Sequence, residues 1–217
     1  NVLKGAAATA LYGLDGASGV VIITTKKGKA GKGLNINFST SYGFDNVTQL
    51  PALQNKYSQG WGGVYDAPET GSSTSWGPAI ADLTYDGATD YPYDPNGRLQ
   101  LGGSGQAANV YDNVGNFFQT GTNATNSLSV DGGNEVATFR ASFSNLQSTG
   151  IVPNNTYDRN TFSLGSSLKI TDKLSINTTA NYVRSDYGRV QQGSNTSGLL
   201  LGLLRTPASF DNAGGFN

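Results

Sequence analysis

The chain contains no cysteine, no histidine and no methionine. Without cysteine there are no disulfides, no thiol nucleophile and no thiolate metal site. Without histidine the commonest general base and the commonest metal ligand are both missing. Charge is scarce as well: 14 Lys and Arg against 15 Asp and Glu give a formal net charge of −1, and charged residues make up 13% of the chain. The lysines cluster only at Lys26, Lys27, Lys29 and Lys32, which is no footprint for nucleic acid. No apolar run reaches the ~20 residues of a membrane-crossing helix, and the mean hydropathy is −0.34. Neither fact counts against a membrane barrel, whose alternating strands halve the apolar content. The chain shows no signal peptide and no initiator Met, and it opens inside a helix-like stretch, so the expectation is a fragment of a longer protein.

Glycine, by contrast, is abundant at 30 of 217 residues, and from residue 34 onward the apolar residues recur with a period of two. Leu34, Ile36, Phe38, Thr40, Tyr42 and Phe44 share one face of a strand, and Asn35, Asn37, Ser39, Ser41 and Gly43 the other. Four more segments repeat this pattern. In Ala124–Val130, Asn126, Leu128 and Val130 alternate with Thr125, Ser127 and Ser129; in the next, Ala137, Phe139, Ala141 and Phe143 alternate with Thr138, Arg140 and Ser142. Then Phe162, Leu164, Leu168 and Ile170 oppose Ser163, Gly165 and Ser167, and Leu174, Ile176, Ala180 and Tyr182 oppose Ser175, Asn177 and Asn181. In a soluble sandwich the apolar face is the core, whereas in a membrane barrel it meets lipid and the polar face lines a wet lumen. Two traits favour the barrel. The polar face is Ser, Thr, Asn and Gly, where a solvent-facing sheet usually carries many Lys and Glu. The segments are also longer than the usual sandwich strand and suit a tilted bilayer crossing. Tyr42, Phe44, Tyr157, Phe162, Tyr182 and Tyr187 lie near segment ends, where an aromatic girdle sits.

The first 28 residues differ. Ala- and Leu-rich residues 1–12 predict a helix of about three turns closed by Gly13, and Val20–Thr25 is a β-branched run that predicts a strand buried on both faces. Spacing alone fits a helix-then-strand unit of a soluble α/β protein equally well. The residues themselves say more. Val2-Leu3-Lys4-Gly5-Ala6-Ala7-Ala8-Thr9-Ala10-Leu11-Tyr12-Gly13, followed by Ala17-Ser18-Gly19-Val20-Val21-Ile22-Ile23-Thr24-Thr25-Lys26-Lys27-Gly28, closely resembles the end of the plug domain in SusC/RagA-type TonB-dependent outer-membrane transporters. The resemblance continues at Ser75-Trp76-Gly77-Pro78, Asn116-Phe117-Phe118-Gln119-Thr120-Gly121, Gly132-Gly133, Arg140–Asn145, Gly150–Asn154 and Leu204–Pro207. Gly5 departs from it, since many relatives carry Asp there.

The resemblance implies an all-β fold: a portion of a large antiparallel transmembrane β-barrel, preceded by the C-terminal helix and strand of an α+β plug domain. Residues 1–32 would be the plug end, with Leu3, Ala7, Ala8, Val20 and Ile22 as plug residues. Residues 33–187 would be the first five barrel strands, with a long first outer loop at 45–123, and residues 188–217 would open the third outer loop. Ile36, Phe38, Phe139, Phe143, Leu164, Leu168 and Ile176 would face lipid. Short connections at Asp131–Asn134 and near Thr171-Asp172-Lys173 would be periplasmic turns, and the longer ones would lie outside. The implied function is TonB-dependent import of oligosaccharide or peptide at the bacterial outer membrane, with a SusD-like lipoprotein lid, TonB and outer-membrane lipid as partners. It implies no enzyme activity and no cofactor. An outer-membrane anchor or adhesin, a secretion barrel, and a soluble β-sandwich binding module are the alternatives.

Candidate contact residues concentrate in the first outer loop: Trp61, Tyr65, Trp76, Tyr85, Tyr91 and Tyr93. Aromatic faces stack on sugar rings and pack into partner interfaces, or they form the loop's own core. Asp82, Asp86, Asp90 and Asp94 recur every fourth residue but lack the glycine and glutamate offsets of a calcium loop. Gly102-Gly103-Ser104-Gly105 lacks the lysine of a phosphate loop and reads as a flexible tip. No catalytic or metal-binding constellation stands out.

Overall fold

The computed structural model describes residues 2–23, 26, 28, 30, 31, 33–191, 193 and 198–213. Thr24 and Thr25, the end of the expected plug strand, and Lys27, Lys29 and Lys32 of the lysine cluster lie outside the described residues, as does Asn1.

The chain opens with β1 (Val2–Leu3), α1 (Ala6–Tyr12) and β2 (Val20–Val21), with β1 and β2 paired antiparallel through Val2↔Val21 and Leu3↔Val20. The helix predicted from residue 1 therefore starts later. Gly5 has φ 57° and ψ −137°, outside helical space, and the β-branched Val2 is recruited to the two-stranded ribbon instead. Gly13, at φ 63°, ends α1 as expected, and a single 3₁₀ turn (Gly13–Gly16) follows. Ala8 is fully buried because Gly16 packs on it: a Cβ on Gly16 would stand 2.6 Å from the Ala8 carbonyl oxygen. Ala7 is exposed. The predicted strand Val20–Thr25 is shorter than expected, and among its described residues Val21 and Ile23 are exposed. Among the described residues this ribbon is a sheet of two strands only.

Five long antiparallel strands make the main sheet: β3 (Leu34–Asp45), then, beyond a long connection, β8 (Gly121–Gly133), β9 (Ala137–Thr149), β10 (Thr156–Thr171) and β11 (Leu174–Gly188). Their order, β11-β10-β9-β8-β3, is a simple meander. Every strand that the period of two predicted is present; β3 stops at Asp45, one residue past its alternating run, and β8, β9, β10 and β11 extend beyond theirs. Lengths of 12 to 16 residues suit a tilted bilayer crossing. Five strands are too few to close a barrel, and the structure is a portion of one.

Between β3 and β8 lie two small hairpins, β4 (Gly60–Trp61) with β5 (Val64–Tyr65) and β6 (Leu83–Tyr85) with β7 (Leu99–Leu101). After β11 comes α2 (Leu199–Arg205). The chain divides into two compact units. The first comprises Asn1–Thr40, Asn126–Asn145 and Asn160–Arg184; it holds β1, α1 and β2 and both short hairpin turns. The second comprises Ser41–Thr125, Leu146–Arg159 and Ser185–Asn217 and holds the long connections.

Candidate functional site

Within the first unit the sheet is inside out. In β9 and β10 the polar residues Thr138, Arg140, Ser142, Ser163 and Ser167 are half-buried, while Phe139, Phe143, Leu164 and Leu168 on the other face are exposed. The pattern extends to the neighbouring strands: Ile36 and Phe38 of β3 are 69% and 65% exposed and Ile176 of β11 is 49% exposed, whereas Ser129 of β8 is 8% exposed. A soluble sheet buries the opposite set. All seven residues expected to face lipid are thus exposed on a shared face.

The polar face is a hydrogen-bonded surface. Asp131 accepts from the Arg140 guanidinium at 2.8 Å and from the Asn35 amide at 3.4 Å. Ser127 and Ser144 hydroxyls meet at 2.9 Å. These cross-strand pairs hold donors and acceptors in place on a surface poor in net charge. In the second unit, Asn123 donates to the Asp45 carboxylate and accepts from the Ser148 hydroxyl at 2.6 Å. The apolar face has its own polar pair, in which the Thr40 hydroxyl donates to Asn126 Oδ1 at 2.8 Å, so these two groups partly satisfy each other where hydrocarbon would offer no partner. Tyr42 and Phe44 meet edge to face at 4.9 Å. Tyr157 and Tyr187 stack at 5.1 Å, with the Tyr157 hydroxyl 3.5 Å from Ser185.

The segment before β3 lies over the polar face. Lys26 and Gly28 join Arg140, Ser142, Ser167 and Asn177 in lining an open cavity of about 350 Å³. Gly28 touches the sheet backbone, and the Gly31 amide donates to the Gly133 carbonyl at 3.1 Å. Nothing in the spacing of Lys26–Gly33 signalled this approach, since glycine in a linker reads as freedom and here supplies closeness.

In the second unit the first outer loop has an ordinary core. Leu83 and Tyr85 are buried to 0% and 1% exposure, with Leu99 against them and Tyr65 at the margin. Of the six aromatic residues proposed for contact, Tyr85 is therefore a core residue, hydrogen-bonded to the Tyr111 hydroxyl at 3.4 Å. Tyr65 is half-buried, and burial, then the Glu69 charge, pushes its hydroxyl up to about 12. Tyr91 donates to Glu69 at 2.9 Å, Glu69 pairs with Arg98 at 2.6 Å, and Arg98 sits 4.7 Å over the Tyr91 ring. Burial first, then this bond to Glu69, raises the Tyr91 pKa. The Glu69 carboxyl is held low by its own backbone amide first and then by Tyr91 and Arg98. The Tyr93 ring lies 5.5 Å from that of Tyr91, tilted by 54°.

Trp61 and Trp76 are different. They are 69% and 55% exposed and, with Tyr57, surround an open cleft of about 460 Å³ floored by Gly62, Gly63 and Gly77. The backbone beneath is stiff: the Trp76 amide donates to Gly60 at 2.9 Å, Gly63 to Trp76 at 3.0 Å and Gly77 to Ser58 at 3.1 Å. A Cβ on Gly77 would stand 2.4 Å from the Gln59 carbonyl oxygen.

The acidic tract serves turns. Asp86 Oδ1 accepts from the Ala88 and Arg98 amides at 2.9 and 2.8 Å, bonds that lower its pKa. Asp94 Oδ1 accepts from the Asn96 amide at 2.8 Å. Among the described residues no group of acidic side chains is arranged to hold a metal ion. The sequence reading missed α2 and its attachment to the first loop. Leu203 is buried, the Tyr111 amide donates to Ala208 at 2.8 Å, Asn113 Nδ2 donates to Phe210 at 2.8 Å, and the Gln59 amide donates to Ser209 at 3.1 Å. The leucine run Leu199–Leu204, with Pro207 just beyond its end, is the local signal for that helix.

The fold and its surfaces define a class: a section of an antiparallel barrel wall with an exposed apolar face, with a small ribbon and helix before it and structured loops at one set of strand ends. No family model matches the chain. It is 27% identical over 201 residues to the TonB-dependent receptor SusC of Bacteroides thetaiotaomicron, covering 92% of this chain and 17% of that protein. A shorter stretch of 46 residues is 50% identical to the TonB-dependent receptor P3 of Formosa agariphila, covering 21% of this chain and 4% of that one. Among solved structures it resembles the RagAB peptide importer in its closed-closed and open-open states, with TM-scores of 0.64 and 0.65 at 23% identity. Those matches cover 99% and 100% of this chain and 25% of the other. The chain thus spans about a sixth of the curated relative that it matches throughout. Its residues and its fold are consistent with a segment of a SusC/RagA-type TonB-dependent receptor.

Proposed function

We propose that this chain forms the plug end, the first five wall strands and part of the outer loops of an outer-membrane importer. In this reading TonB energises uptake, a SusD-like lipoprotein covers the outer face, and the cargo is an oligosaccharide or peptide. The protein is a transporter and not an enzyme. One observation carries the reading: the sheet exposes Phe38, Phe139, Leu164 and Ile176 while Ser127, Ser129, Arg140, Ser142, Ser144 and Ser163 are buried or half-buried, with Ser127–Ser144 and Asp131–Arg140 hydrogen-bonded across strands. Such a sheet is stable where hydrocarbon meets one face and water or protein meets the other. The short turns then belong to the periplasm and the long connections to the exterior, where the Trp61 and Trp76 cleft is placed to meet the lid or the cargo.

The test is an arginine scan of the full-length protein in outer membranes. Arg at Phe139, Leu164 or Ile176 should cost about 2–4 kcal/mol near the bilayer midplane and abolish the heat-modifiable band. Arg at Ser142 or Asn177 should assemble normally. Uptake that survives deletion of TonB would argue against import and for an anchor or adhesin.

A further inference from the structure

Resting on that reading, we propose that the segment just before β3 is a strap fastened to the polar face of the wall at Gly28 and Gly31, a fixed attachment for what precedes it. Gly28 is the positioning residue. A Cβ built there would stand 2.3 Å from the Phe139 carbonyl oxygen, 2.7 Å from its carbon and 2.8 Å from its nitrogen. All three are backbone atoms of β9, in the middle of the sheet, and cannot move aside as a side-chain tip could. Only a residue without a side chain lets the strap lie this close. The second bolt is the 3.1 Å hydrogen bond from the Gly31 amide to the Gly133 carbonyl, at the end of β8. Gly133 is itself confined, at φ 145° with the Ala137 carbonyl oxygen 2.2 Å from a built Cβ, so the acceptor sits on a part of the hairpin with little freedom. Lys26 lines the same polar cavity as Arg140 and Ser142, which keeps the strap's first described residue over the wall.

The two glycines provide an internal control. A Cβ at Gly31 would meet nothing within 4 Å, so Gly31→Ala keeps both the space and the N–H. Gly28→Ala collides with backbone, and Gly31→Pro deletes the donor. Trypsin cleavage of the full-length receptor in detergent after Lys26, the exposed residue two before Gly28, reports how often the strap lifts. Gly31→Ala should be cleaved at the wild-type rate. Gly28→Ala and Gly31→Pro should be cleaved about tenfold faster, with the heat-modifiable barrel band unchanged. Equal rates for Gly28→Ala and Gly31→Ala in an assembled barrel would overturn the strap. Should Gly28→Ala not assemble, Gly31→Pro gives the same reading. Hydrogen exchange of the wild-type strap as fast as that of a free peptide would also overturn it. These readouts use the resting receptor, so a failure of the import reading would appear in uptake while strap cleavage stayed as expected.

Discussion

The main sheet and the first outer loop are built from the same residue types with opposite rules. In the loop, Ile80, Leu83, Tyr85 and Leu99 are buried and the charged residues lie outside, as in any small water-soluble domain. In the sheet, Phe38, Phe143 and Ile176 are exposed, and the best-buried strand side chain is Ser129. Two stretches of one chain can differ this way only if their surroundings differ. The loop must find its apolar solvent within itself, and the sheet needs one from outside. Stability is accordingly distributed unevenly: tight packing holds the loop, whereas backbone pairing and a few polar cross-links hold the sheet.

The sharpest way to break this comparison is to remove a large side chain from each region. Tyr85→Ala should leave a cavity and lower loop stability by about 3–5 kcal/mol, seen as faster hydrogen exchange over residues 83–111 in the assembled receptor. Phe143→Ala, at a side chain 47% exposed, should cost mainly the transfer of its side chain, about 1.5–3 kcal/mol, with no change in loop exchange. Equal loss at both sites would mean that the sheet has a packed core after all.

Next in size is the polar face. Arg140→Ala leaves the Asp131 carboxylate half-buried with only the 3.4 Å contact to Asn35. It should cost about 1–3 kcal/mol, read as a lower melting temperature of the heat-modifiable band. Arg140→Lys should recover part of that loss, because a single ammonium bond replaces the guanidinium.

A smaller effect separates the regions by pH. The folded Asp86 carboxyl lies below its ordinary value because the Ala88 and Arg98 amides stabilise the charged form. Its contribution is complete above roughly pH 4, the unfolded value, and is lost as pH falls through the lower folded value. Exchange over residues 86–98, corrected for intrinsic rates, should therefore rise on acidification below that point, and Asp86→Asn should flatten the rise. Smallest for stability are Trp61→Ala and Trp76→Ala, which should change folding by less than about 0.5 kcal/mol as exposed positions. They should nonetheless weaken uptake or copurification of the lid lipoprotein; if both are unchanged, the cleft has no such contact.

Much of the wall was legible because a strand writes its two faces into alternate residues. Phe38 and Phe139 could be assigned to one face, and Asn35 and Arg140 to the other, from numbering alone. The boundaries were less legible: β9 runs to Thr149, past the alternating run that closes at Phe143 and Ser144, where the neighbouring strands supply its partners. The six loop aromatics looked alike in sequence. Tyr85 and Trp76 separate only once hairpin pairing has set which ring turns inward, and that pairing joins residues with no shared local pattern.

By itself the sequence determined the period, the strand count, the short turns and the family resemblance, since each is a relation among near neighbours along the chain. Three things were decided only by the tertiary structure. One is the replacement of the start of the predicted helix by a ribbon between Val2–Leu3 and Val20–Val21. Another is the attachment of Ala208 and Ser209 to Tyr111 and Gln59. The third is the seating of Gly28 on Phe139. Each is a contact between residues far apart in sequence, where the gain comes from shape and unpaired backbone groups brought together by the fold. Such groups leave no periodic trace in the sequence for a local reading to find.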